Sequence, residues 1–115
     1  VAGAASEADA VQVGRSIAGN NLVKTAFFGN DPNWGRILAA VGTTSAAFEP
    51  DRIDVAINGV WVCKNGAAAE DRSKVDLSQR DVRVTVNLRE GEMSATIWTT
   101  DLSHAYVHEN SAYSS

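Results

Sequence analysis

The chain has 115 residues, enough for one domain or part of one, able to bury roughly 65% of its unfolded surface. A hydrophobic share of 44% and a charged share of 21% are those of a globular fold, and a net charge of −4 without Lys/Arg clusters excludes nucleic acid and anionic membranes as partners. No apolar run approaches the ~20 residues of a membrane span, and one cysteine, Cys63, excludes an internal disulfide framework.

Val1 opens the chain and the only methionine is Met93, which reads as a portion of a longer polypeptide, with any targeting peptide upstream. Residues 1–5 are small and apolar, resembling the tail of an earlier element. Ser6 then suits an N-cap, and Glu7 and Asp9 complement the positive end of a helix dipole. Ala10, Val13, Gly14, Ile17 and Ala18 form an apolar stripe, predicting a helix over 7–18 closed by Gly19-Asn20. Leu22, Val23, Ala26 and Phe27 favour a short second helix, with a strand as the alternative.

Gly29 ends that element. Beyond it, Trp34, Ile37, Leu38 and Val41 recur at i, i+3, i+4, i+7, one face of a third helix. Asp31 is the expected N-cap, Pro32 the first helical residue and Gly42 the stop.

After Gly42 the pattern changes period. Residues 43–51 form a loop broken by Pro50. Ile53, Val55 and Ile57 alternate with Asp54 and Ala56 as a half-buried strand. Asn58-Gly59 makes a two-residue hairpin turn, since both residues tolerate positive φ, and 60–63 return as the partner strand. Cys63 reads as a small buried hydrophobe on that strand, with no neighbour in sequence that would form a thiolate. Asn65-Gly66 is another turn, and 67–80 a poorly patterned connection without chemistry. Val82, Val84, Val86 and Leu88 alternate clearly. Glu90-Gly91 turns that strand, and Met93, Ala95, Ile97 and Thr99 return as the second half of a hairpin over 82–100. Helices first and antiparallel hairpins after imply an α+β layer structure. The chain divides into a helical part over 6–42, hairpins at 53–63 and 82–100, and a docked C-terminal tail over 101–115.

Chemistry is scarce. Lys24-Thr25 lacks the two glycines and four spacers of a phosphate-binding loop. His104 and His108 stand four apart, but a metal site needs a third donor, and none follows at a ligand spacing, so no metal is expected. No serine lies in a Gly-x-Ser-x-Gly elbow, so the chain alone is expected to be inactive. The tail, Tyr106-Val107-x-x-Asn110-x-x-Tyr113-x-Ser115, is the remaining candidate. The Asn110 amide offers donor and acceptors for an amino-acid substrate, and Ser115 offers a hydroxyl and, as a terminus, a carboxylate for a substrate ammonium. The apolar and aromatic residues Tyr106, Val107 and Tyr113 argue for a docked tail rather than a frayed one.

The stretch from Lys24 to Ile37, reading KTAFFGNDPNWGRI, closely resembles a signature of the bifunctional ornithine acetyltransferase/N-acetylglutamate synthase family of arginine biosynthesis. The likeness extends through Gly3-Ala4-Ala5, Ile57-Asn58-Gly59, the strand at 82–88, Asp101-Leu102 and the tail. It implies the C-terminal part of a β chain in an α-β-β-α sandwich of the self-processing, N-terminal-threonine type. In that family the freed threonine takes acetyl from N-acetylornithine and passes it to glutamate, and bifunctional members also accept acetyl-CoA. Threonine suits the role because its own α-amine can act as base and an oxyanion hole can stabilise the intermediate.

The resemblance places that threonine, the oxyanion donors and a substrate-binding lysine upstream of Val1, leaving no catalytic residue here. Asn110 and Ser115 match family substrate contacts; the family's last residue is often threonine, and serine keeps the hydroxyl. Lys24, Asn33 and Arg36 match the signature and are assigned to support of the fold and subunit contacts. No cofactor is implied. The expected partners are the α chain of the same precursor and further β chains, as a heterotetramer or higher, in the cytoplasm. Two other readings compete: a self-processing aminopeptidase or amidohydrolase, which would hydrolyse amides without transfer to glutamate, and a non-catalytic interaction module packing Trp34 and Tyr113 on a partner.

Overall fold

A computed structural model describes residues 1–79 and 81–99. Three helices lead, α1 (Glu7–Ala18), α2 (Asn21–Phe28) and α3 (Trp34–Gly42). A 3-10 turn (Pro50–Arg52) precedes strands β1 (Asp54–Ile57), β2 (Val60–Lys64) and β3 (Ala67–Ala68), and a second (Arg72–Lys74) precedes β4 (Val84–Asn87). The strands form one sheet in the order β3-β2-β1-β4, with every neighbouring pair antiparallel. The class is α+β. No described helix is long and apolar enough to cross a membrane.

Local chemistry sets the helix starts. The Ser6 hydroxyl accepts from Asp9 N at 3.1 Å and the Asn20 amide oxygen accepts from Val23 N at 3.0 Å, each satisfying a donor that the first helical turn leaves open. The inward face of α1 consists of the five residues of its apolar stripe, all buried. Ser16 Oγ donates to Ala40 O at 2.8 Å, tying α1 to α3. One hydrophobic cluster joins Val13, Ile37 and Val41 of the helices to Ile53, Val55, Ile57, Val62, Val86 and Leu88 of the sheet layer, all at most 1% exposed. Each such side chain stabilises the fold by about 1.5–3 kcal/mol through removal from water.

Both Asn-Gly turns have positive φ at both residues: Asn58 +49° and Gly59 +83°, Asn65 +52° and Gly66 +73°. That conformation suits the right-handed twist of the strands they join. Asn58 also ties the turn to β4's approach, since its Oδ1 accepts from Arg83 N at 2.7 Å. The connection after β2 holds the two-residue strand β3 and the second 3-10 turn, where Asp71 caps Ser73 N at 2.9 Å.

Three expectations require correction. The cap of α3 is Asn33, not Asp31: Asn33 Oδ1 accepts from Arg36 N at 3.1 Å, and the helix begins at Trp34 rather than Pro32. Residues 30 and 31 still belong to the exit of α2. Asn30 has φ +59°, and the N–H groups of Asn30 and Asp31 return to Phe27 O and Ala26 O at 3.0 and 2.7 Å. Gly42 does not stop α3 but is its last residue. The Thr43 and Thr44 hydroxyls finish it by donating to Ala40 O and Val41 O, both at 2.7 Å.

The third correction concerns the hairpin over 82–100. β4 pairs with β1, Val84 opposite Ile57 and Val86 opposite Val55. Residues 93–95 do not return onto β4, because the start of the chain fills the slot between them. Ala2 N donates to Val86 O and Leu88 N to Ala2 O, at 2.8 and 3.0 Å, in a parallel bridge. On the other side Ala4 and Met93 exchange two bonds, at 2.9 and 3.0 Å, and Ala95 N donates to Val1 O at 3.0 Å. The turn wraps the inserted strip: Glu90 N and Gly91 N both donate to Gly3 O, at 2.7 and 2.9 Å. Gly3 has φ +65°, and a Cβ there would strike Asn87 Oδ1 and Arg89 N, so only glycine lets the strip lie this close.

Candidate functional site

The polar residues of the α2–α3 joint converge, but on one another. Asn33 uses both ends of its amide: Oδ1 caps α3, and Nδ2 donates to Asp31 Oδ2 at 3.1 Å. Asp31 Oδ1 is buried without a hydrogen bond among the described residues, while Arg72 Nη2 faces it as an ion pair at 3.6 Å. Both partners are partly exposed, so water screens the pair. Arg36 Nη1 donates to Leu22 O at 2.9 Å, fastening α3 to the beginning of α2. Trp34 is half-buried against the core. Asn33 and Arg36 therefore hold the two helices at a fixed angle.

Lys24 differs from these. It lies on α2, is only 9% exposed, and its Nζ donates to Thr99 Oγ1 at 3.0 Å. Burial of an ammonium requires hydrogen-bonding partners. Thr99 is seventy-five residues away in sequence and is the last described residue before the tail.

Beside the joint, residues 30–32 and 71–73 line a shallow open recess. Its carboxylates serve turns. Asp71 lies below the usual carboxylate range because Ser73 N–H donates to it, and nearby Asp76 is lowered in the same way by the hydroxyl and N–H of Ser78. Cys63 is fully buried, with Sγ 3.8 Å from Ile53 O. Burial and then the charge of Asp54 push its thiol upward, away from the thiolate. Among the described residues no three His, Cys, Asp or Glu side chains gather as a metal site. Asn110 and Ser115 lie outside the described residues, as do His104, His108, Tyr106 and Tyr113.

Thr99 is the residue that the sequence did not single out. Its signal was the alternation of Ala95, Ile97 and Thr99, the half-buried side of that segment, together with a lysine in an otherwise apolar part of α2.

Comparison with known proteins covers the whole chain. Residues 1–115 match the ArgJ family. The arginine biosynthesis bifunctional protein ArgJ of Thermobifida fusca is 68% identical over 99% of this chain, and that of Streptomyces coelicolor 64% identical over all of it. The chain spans about 30% of the length of each. Among solved structures, arginine biosynthesis bifunctional protein argJ from Bacillus halodurans superposes with a TM-score of 0.78 at 32% identity, over 97% of this chain and 55% of the other.

Proposed function

Because this chain belongs to the ArgJ family, we propose that it is the C-terminal portion of a glutamate N-acetyltransferase, in which it builds the substrate-binding side of an active site. The observation that carries the reading is the continuous match from residue 1 to residue 115, which includes the capped joint and the tail.

In this reading a threonine on sequence outside this chain is the nucleophile. Its Oγ attacks the acetyl carbonyl of N-acetylornithine, giving its proton to the threonine's own α-amine. The tetrahedral oxyanion rests on donors from the α chain of the same precursor. It collapses as the ornithine nitrogen takes up a proton and departs, leaving an acetyl-threonine ester. The glutamate α-amine then attacks the ester, and N-acetylglutamate leaves as the threonine hydroxyl is restored. Asn110 donates to and accepts from the amino-acid part of the substrate, and Ser115 supplies a hydroxyl at the same end. Asn33 and Arg36 act at a distance by fixing α3 on α2, the arrangement on which subunit contacts rest. The sheet described here is one layer of an α-β-β-α sandwich completed by the rest of the enzyme, which assembles from α and β chains in the cytoplasm.

The test uses the complete protein with N-acetylornithine and glutamate. Equal amounts of ornithine and N-acetylglutamate are expected. With glutamate omitted, the chain bearing the terminal threonine should gain the mass of one acetyl group. Release of free acetate at the full rate without glutamate would instead identify a hydrolase. In the same protein Asn110→Ala should raise the KM for N-acetylornithine while self-cleavage proceeds.

A further inference from the structure

Arg89 has φ +56°, in the left-handed region that residues with a Cβ rarely enter. Glycine or asparagine would meet this geometry with less strain. What arginine adds is its side chain. Nη1 faces Asp54 Oδ1 at 3.7 Å and donates to Asn65 Oδ1. The backbone is tied as well: the Arg89 carbonyl accepts from Arg52 Nη2 at 3.2 Å, and its N–H donates to Asn87 Oδ1 at 3.0 Å. Arg89 is thus held in an unfavourable conformation from which its guanidinium reaches the turn after β2.

Asn65 precedes Gly66, and that pair carries a reaction of its own. The Gly66 nitrogen, on giving its proton to solvent, can bond to Asn65 Cγ. The Cγ–Nδ2 bond then breaks, the side-chain nitrogen takes up a proton and departs as ammonia, and a cyclic succinimide remains. Water opens the ring at either carbonyl, leaving aspartate or isoaspartate. Glycine favours the attack because no side chain shields its nitrogen. The fold restrains the nucleophile and the amide with separate bonds. Gly66 N donates to Ile53 O at 2.9 Å, and Asn65 Oδ1 is held by Arg89. Asn65 is exposed, and among the described residues Arg89 is the only side chain that grips its amide. Asn58-Gly59 differs. The Asn58 amide is held at both ends by backbone, Nδ2 donating to Asp76 O at 2.8 Å and Oδ1 accepting from Arg83 N at 2.7 Å.

We propose that Asn65 is a latent deamidation site and that Arg89 guards it, by holding the amide that would otherwise swing onto the Gly66 nitrogen. Attack requires the amide to leave the guanidinium and the Gly66 N–H to leave Ile53 O. Independent local openings multiply, so loss of either bond raises the rate by the factor that it withheld. Conversion would matter to the fold. It sets a carboxylate at position 65, whose N–H donates to Asp54 Oδ1 at 2.9 Å, beside that residue's own negative charge. As isoaspartate it also adds a methylene to the backbone of a turn without room for one, since a Cβ at Gly66 would strike Pro50 O.

The experiment uses the complete enzyme and its Arg89→Gly variant, in which glycine suits the φ of that position. Both are kept at mildly alkaline pH, and conversion of Asn65 and Asn58 is followed by peptide mapping. Asn65 should convert roughly three to ten times faster in Arg89→Gly, the scale of one exposed hydrogen bond to a charged group. Asn58, whose amide does not touch Arg89, should keep its rate and serves as the internal control. Should Arg89→Gly fail to fold, Arg89→Met, which keeps the stem without the donors, decides in its place. An unchanged rate at Asn65 overturns the proposal. A slower one overturns it too, and would mean that the guanidinium polarises the amide and promotes attack. An equal rise at both asparagines also counts against it, since that is general loosening rather than the loss of a guard. Without any variant, a wild-type Asn65 that converts as fast as in a short unfolded peptide of residues 60–70 is equally fatal.

Discussion

Asn33 shows how much a single amide can organise. It closes the first turn of α3 and anchors the Asp31 carboxylate, so Asn33→Ala removes a helix cap and leaves Asp31 without that donor. Loss of the cap alone costs about 1 kcal/mol, and chemical denaturation should show at least that much with an unaltered m-value. Asn33→Asp keeps the capping oxygen but sets a second carboxylate beside Asp31, so it should recover less than full stability. At Asp71 the relevant variable is pH. Its carboxylate is held below its ordinary range by the Ser73 N–H, so the turn it caps is favoured while the group is ionised. That contribution is complete above the unfolded-state pKa and fades as pH falls through the lower folded value. A carboxyl titration by NMR should find the Asp71 midpoint below that of an unstructured aspartate, and Ser73→Pro, which removes both the N–H and the hydroxyl that bond it, should move that midpoint upward.

At the level of elements, legibility followed locality. α1 lies at the residues where its cap, charges and stripe place it, and both Asn-Gly turns have the conformation that their residue types demand. The mistaken α3 cap is also local in origin. Asp31, Pro32 and Asn33 all suit a helix start, and the choice turns on whether the α2 carbonyls still hold residue 31, which composition does not reveal. The hairpin at 82–100 failed for a different reason. Alternation shows that 84–88 and 93–99 are extended, but not which strand fills the gap between them. A run of small residues at 1–4 left the only hint, and its partners lie more than eighty residues away. Asn110 and Ser115 are candidates through the chemistry of the tail and through resemblance; no periodicity identifies them, and they lie outside the described residues. Gly3→Ala tests the inserted strip. The side chain must occupy φ +65° and strike Asn87 and Arg89, so the variant should lose well over the ~1 kcal/mol of a left-handed alanine. Hydrogen exchange should quicken together at Leu88, Met93 and Ala95, whose N–H groups depend on that strip.

For the molecule as a whole, the cluster spanning helices and sheet predicts a single cooperative transition. Ile37 is fully buried in it, and Ile37→Ala should cost about 2–5 kcal/mol. Phe28 is 79% exposed on α2, and Phe28→Ala should change stability by no more than about 0.5 kcal/mol in this chain. A large loss at Phe28 in the complete enzyme, with none in the isolated chain, would locate a surface that the rest of the protein covers. The strip between β4 and residues 93–95 also bears on how the molecule is made. Val1 and Ala95, which meet at 2.8 Å, are 94 positions apart, so a ribosome must finish nearly all of this stretch before that seam can close. Until then the nascent sheet carries an open flank with unsatisfied amides, the kind of surface on which two unfinished chains can pair. Slowing translation just after β4 should therefore lengthen that exposure and lower the yield of assembled protein, although no residue of the finished fold has been altered.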